Sequence, residues 1–138
     1  MTRVDFHFNA PGKLEYGCRL VRKILRAGQR VVVFADPVSI AKFDAALWTF
    51  SQLDFIPHVA AGDALAAQTP VLLCSEAVET AHCEVLVNLG SGTPAFFSRF
   101  ERLIEVVGPD DDDRAAARER WRYYKDRGYP LESHDLAR

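Results

Sequence analysis

A chain of 138 residues, 49% apolar and 26% charged, can bury one core and falls among ordinary soluble globular sequences, so a single domain is expected. Its net charge of −2 and pI near 6.1 exclude nucleic-acid binding by bulk charge, so any anion-binding surface must be local. No apolar run approaches the roughly 18 residues of a membrane span; MTRVDFHF carries charges where a signal peptide needs an apolar segment, so a cytoplasmic location is expected.

Val4 to Phe8 alternates apolar and polar residues before the Asn9-Ala10-Pro11-Gly12 break, which predicts a first strand and a loop. From Lys13 to Ala27 the apolar residues Leu14, Tyr16, Gly17, Cys18, Leu20, Val21, Ile24 and Leu25 recur at helical spacing, and Gly28 stops the helix. Arg30 to Ala35 is a short, β-branched apolar run of the kind buried on both faces of a parallel sheet. Strand, helix and strand of these lengths predict a crossover unit. Asp36-Pro37 opens a second helix, Val38 to Leu47, with Ile40, Phe43, Ala46 and Leu47 as its packed stripe. The connector from Trp48 to His58 has neither clean periodicity and carries Trp48, Phe50 and Phe55, so it is either a loop over the core or an interface.

Pro70 to Cys74 and Cys83 to Leu89 are further strand candidates, the second leading into Gly90-Ser91-Gly92. Phe96, Phe97 and Phe100 suggest a short aromatic helix beneath the sheet, and Leu103 to Val107 reads as the last strand. The alternation predicts a single-domain α/β fold with a doubly wound, mostly parallel sheet and helices on both faces.

Chemistry should then gather at the carboxyl ends of the strands, where Asp36, Gly90-Ser91-Gly92 and Asp110 to Asp113 stand. They form no convincing catalytic set. Neither glycine-rich phosphate motif is present, Pro11-Gly12-Lys13 lacks the glycines and hydroxyl of a phosphate cradle, and Ser91 falls one residue short of a nucleophile elbow. Convergence of the acidic residues on magnesium would make a metal-dependent phosphoryl-transfer enzyme, but their spacing does not indicate it. The three cysteines, Cys18, Cys74 and Cys83, show no C-x-x-C and read as small buried hydrophobes. The histidines His7, His58, His82 and His134 stand at no metal-ligand spacing, and His82 and Cys83 would point to opposite faces of a strand. No metal and no cofactor is expected.

The last helix candidate, Arg114 to Arg127, is the most distinctive stretch. Its acidic lead-in, Asp110 to Asp113, suits the positive end of a helix dipole. Helical winding places Arg114, Arg118, Trp121, Arg122 and Lys125 on one side, and Ala116, Ala117 and Tyr124 on the other, where a helix can lie close to a sheet. A basic stripe around an indole is either a solvated surface or a site for a ligand both apolar and anionic. Direct binding of single-stranded DNA is a rival reading of the same arginines, weakened by the net negative charge.

The set Asp44-Ala45-Ala46-Leu47-Trp48, Phe55-Ile56-Pro57-His58, Ala61-Gly62, Pro70-Val71, Val85 to Leu89 and Ala117-Arg118-Glu119-Arg120-Trp121, with Tyr124 and Gly128, resembles the chi subunit of bacterial DNA polymerase III. The resemblance runs from the first strand to the final helix. It implies a nucleotide-binding-like, Rossmann-type fold without a catalytic role. Chi proteins pair with the psi subunit of the clamp loader and hold the acidic C-terminal tail of single-stranded-DNA-binding protein, which ends in a phenylalanine and a free carboxylate. Carried over by position, Arg118 becomes the main carboxylate clamp, with Arg114, Trp121, Arg122 and Lys125 alongside and Val107 on the pocket floor. Trp48 and Phe55 match the aromatics that hold psi, on a surface for which a helicase competes. Contact with nucleic acid is then indirect, and no membrane is involved.

Overall fold

A computed structural model describes residues 1–50 and 55–137, and the strands in them form one seven-stranded sheet. In chain order the elements are β1 (Arg3–Phe8), α1 (Lys13–Arg26), β2 (Val31–Phe34), α2 (Pro37–Thr49), β3 (His58–Ala60), β4 (Val71–Cys74), β5 (Val85–Asn88), β6 (Arg102–Val106), α3 (Asp111–Asp126) and β7 (Leu131–Asp135). The strands lie in the order β3-β4-β2-β5-β6-β1-β7, and every pairing is parallel. This is the doubly wound α/β architecture that the alternation predicted.

Both faces of the central strands are covered, which is why they read as unbroken apolar runs. On one face Val31, Val33, Val71, Leu73, Val85, Val87, Ile104 and Val106 pack beneath α1 and α2. On the other, Val4, Phe6, Val32, Leu72, Leu86 and Leu103 meet Phe96, Phe97, Phe100, Ala117 and Tyr124. The predicted aromatic helix is a single 3₁₀ turn, Phe97–Arg99, with all three phenylalanines buried. Gly17 of α1 lies directly against α2: a Cβ there would lie 2.9 Å from the Phe43 ring. Gly28, at φ +81°, turns the chain out of α1 in the left-handed region.

Several expectations are corrected. Leu103 to Val107 is not the last strand, because β7 follows α3 and pairs with β1. LESHD has one apolar residue, so its strand character comes from pairing with β1 and not from its own pattern. The three-residue β3 was equally invisible. Trp48 belongs to the last turn of α2, and residues 51–54 of the aromatic connector lie outside the described residues. Of the cysteines, Cys18 and Cys74 are buried but Cys83 is exposed. Burial pushes the Cys18 thiol up to about 11 and the Cys74 thiol up to about 12. His82 and Cys83 precede β5, and His82 is buried with Nε2 2.6 Å from the Thr69 carbonyl.

The entry to β5 is tied to β2 by a two-pronged pair. Arg30 Nε and Nη2 donate to the two Glu84 oxygens at 2.9 and 3.1 Å, and this hydrogen bonding holds the Glu84 carboxyl down at about 2. The folded carboxyl therefore releases its proton below the unfolded value, so the pair stabilises fully above about pH 4.5 and is lost as pH falls through about 2. Because both side chains are partly exposed, Glu84→Gln should cost about 1 kcal/mol at pH 7. Urea midpoints should show a smaller wild-type-to-variant gap at pH 3 than at pH 7; equal gaps would mean the carboxylate charge plays no part.

Candidate functional site

The groove begins with how α3 is started and seated. Asp110 caps the helix, its carboxylate accepting from the Asp113 N–H at 2.7 Å. Asp113 accepts from the Gly108 N–H at 2.7 Å and pairs with Lys13 of α1 at 2.9 Å. The acidic run thus builds a helix start, as its position before the basic stretch suggested. Asp36 does the same for α2, accepting from the Ser39 N–H at 3.1 Å.

Under the middle of α3 lies a buried polar cluster. Glu105, on the α3 face of β6, accepts from Arg120 Nε at 3.0 Å, Asn88 Nδ2 at 2.9 Å and the Tyr124 hydroxyl at 2.6 Å. Arg120 also donates to the Ser91 carbonyl at 2.7 Å, so the loop after β5 is fastened to the same helix. Burial pushes the Glu105 carboxyl up, against the opposing pull of Arg120, Tyr124 and Asn88. Burial and then the adjacent Glu105 raise the Tyr124 hydroxyl as well. Arg120 stands between two members of the predicted stripe, yet it serves the interior.

With α3 held in this way, a cavity of about 280 Å³ opens between the helix and the β1–β7 side of the sheet. Phe6 and Phe8 come from alternate positions of β1, Val107 from just past β6, and Ser133 from β7 beside Phe6. Arg114, Ala117, Arg118 and Trp121 enter from successive turns of α3. The small Ala117 leaves room, and Trp121, half-buried, meets the Phe6 ring edge-on at 5.2 Å. The result is an apolar slot with two exposed guanidiniums on its rim, and among the described residues neither Arg114 nor Arg118 is in an ion pair. Arg122 and Lys125 are exposed and continue the stripe beyond the cavity, and Arg122 is paired with Glu119 at 3.0 Å.

Four of the six residues singled out on or near this helix therefore meet at one cavity: Arg114, Arg118, Trp121 and Val107. Sequence reasoning missed Phe6, Phe8 and Ser133. The alternation in VDFHF placed the two phenylalanines on one side of a strand but could not say what faced them.

A second surface lies on the other face of the sheet, toward β3. Trp48 is 58% exposed and Phe55 70%, with ring centroids 5.7 Å apart. His58 lies 4.7 Å from the Trp48 ring, its two ring nitrogens facing the Ile56 carbonyl at 2.7 Å and Asp44 at 2.8 Å. Val38, Ala41 and Ala45 are exposed on the same side of α2 at spacings that lead to Trp48. An apolar helix face of this extent, unnoticed in the sequence because its inner face is also apolar, is a surface suited to a partner.

The comparisons with known proteins agree with one another. Residues 1–132 match the family described as DNA polymerase III chi subunit, HolC. The chain is 36% identical over 143 residues to the DNA polymerase III subunit chi of Pseudomonas aeruginosa, covering 100% of this chain and 99% of that one. It is 27% identical to the Haemophilus influenzae protein of the same name, over 88% of this chain and 86% of that one. For the Escherichia coli protein of that name the identity is 26%, with 83% and 79% covered. A family match over residues 1–132, together with 36% identity to a relative covered almost end to end, makes this chain a member of the DNA polymerase III chi subunit family.

Proposed function

We propose that this chain is a non-catalytic accessory subunit of a DNA polymerase III holoenzyme, joining the clamp loader to single-stranded-DNA-binding protein. The carrying observation is the slot between Phe6, Val107, Ala117 and Trp121 with Arg114 and Arg118 at its mouth. A peptide ending in an aromatic residue and a free carboxylate suits both halves: the ring enters the slot, and the guanidiniums take the terminal carboxylate and the acids before it. The acidic tail of single-stranded-DNA-binding protein is such a ligand. The exposed Trp48 and Phe55, at the far side of the sheet, serve the psi subunit, and a helicase competes for them. No bond is made or broken, and no cofactor is needed.

The rival reading, direct binding of single-stranded DNA, is less well supported. A strand of bases wants a row of stacking platforms and a long basic track. The slot is short, and Arg122, which would extend it, already faces Glu119.

The test is fluorescence anisotropy with a labelled acidic peptide copied from the C-terminus of the host's single-stranded-DNA-binding protein, beside the same peptide amidated at its end. Because the contact is largely between charges, affinity should be roughly micromolar and fall as salt rises. Amidation should weaken it, and Trp48→Ala should leave it intact. Equal binding of both peptides would remove the carboxylate from the reading, and loss of tail binding in Trp48→Ala would refute two separate sites. A clear gel shift with naked single-stranded DNA at physiological salt would favour the rival.

A further inference from the structure

On the sheet face opposite the groove, β6 is the last strand to contribute apolar residues to the core, which Ala10 and Leu136 rejoin only beyond the ends of β1 and β7. The residues that β1 and β7 present there are Arg3, Asp5 and His7, and Glu132 and His134, since Val4, Phe6 and Leu131 point the other way into the α3 layer. Asp5 is paired across the ladder with Glu132, and His7 with His134. One ligand atom each of Asp5, Glu132 and His134 lies within 4.8 Å of the others, and His134 Nε2 is 3.8 Å from Glu132 Oε2. This is a mixed set of one imidazole and two carboxylates, brought together by a parallel ladder that joins residues more than 120 apart in the chain.

A second observation concerns Asp5 alone. Its side chain is almost wholly buried, and Oδ2 accepts from Arg102 Nε at 2.6 Å, with Arg3 Nε at 3.9 Å. Its other oxygen, Oδ1, is shut off from solvent and has no hydrogen-bond partner. A buried carboxylate oxygen without a donor is costly, and such atoms in folded proteins call for an explanation, an ion among them. The arginine on Oδ2 is what a metal-ligating carboxylate commonly has behind it, a hydrogen-bond partner that fixes its orientation.

We propose that Asp5, Glu132 and His134 bind a divalent transition-metal ion, zinc being the best match to one nitrogen and two oxygen donors with a position left for water. Asp5 is the fixed ligand. Glu132 and His134 are exposed, so their side chains can close on the ion to the roughly 2.0–2.2 Å that zinc requires. The ion would clip the edge strand β7 to β1. Because strand residues alternate, the same clip would steady Ser133, which lines the groove on the opposite face. His7, whose Nδ1 meets the Tyr16 hydroxyl, packs edge-on against His134 at 5.0 Å and walls the site.

The experiment is zinc titration of the full, tag-free chain by calorimetry, with thermal melting as the second readout. One equivalent should bind and raise Tm. His134→Ala and Glu132→Gln, both at exposed positions and so expected to leave the metal-free Tm unchanged, should each weaken binding by roughly tenfold or more. Cys83→Ser, which removes the exposed thiol as a competing zinc ligand, should change nothing. Absence of saturable binding at millimolar zinc would overturn the proposal, as would unchanged affinity in His134→Ala. Binding lost in Cys83→Ser but kept in His134→Ala would place the ion on the thiol and overturn it equally.

Discussion

Glu105→Ala should cost about 3–5 kcal/mol, the loss expected when one partner of a buried ion pair is removed. The carboxylate accepts from three donors at once, and all three are enclosed. Without it the Arg120 guanidinium, 2% exposed and with Nη2 already lacking a partner, would keep only the Ser91 carbonyl. The charge would then sit in the interior with nothing opposite it, and Tyr124 would lose its acceptor. Against a total stability of about 5–15 kcal/mol this is a large fraction. Two controls separate charge from packing. Glu105→Gln should cost less than Glu105→Ala, since it keeps an acceptor oxygen. A double replacement, Glu105→Leu with Arg120→Met, should recover much of the loss because neither charge remains to be desolvated. Urea unfolding measures all three, and a Glu105→Ala loss below about 1 kcal/mol would mean that water or a rearrangement compensates the arginine. The same variant should disturb the groove, because Ala117 lies one turn before Arg120 and Trp121 directly follows it.

Arg118→Ala should weaken the acidic tail peptide by roughly ten- to a hundredfold, the range expected when one charge-assisted hydrogen-bonding partner is removed from an interface. Stability should barely move, within about 0.5 kcal/mol, because the guanidinium is exposed and is in no ion pair among the described residues. Arg122→Ala is the internal comparison. It lies on the same stripe but outside the cavity and faces Glu119, so its effect should be several-fold smaller. An Arg118→Ala variant that bound the peptide normally would move the carboxylate site off this helix. One that unfolded would make the arginine structural, and equal effects at the two positions would replace a specific clamp with a diffuse field.

Much of this molecule is legible from local pattern. The apolar runs of β2, β4 and β5, the periodicity of α1, and the acidic start and basic stripe of α3 are properties of adjacent residues, and each element appears within a few residues of its predicted place. Its relationship to chi subunits rests likewise on short blocks in order. What could not be read is carried by contacts between distant segments. β7 is a strand because β1 offers it a ladder, although its own residues are mostly polar. Arg120 and Arg118 are two residues apart on one helix, and only the position of Glu105 beneath one of them makes the first interior and leaves the second at the groove. Strand parity put Phe6 and Phe8 on one side and Asp5 and His7 on the other. Which side meets Trp121 and which meets Glu132 and His134 was decided by where α3 and β7 dock, since burial and pairing are settled by long-range neighbours and not by the local chain.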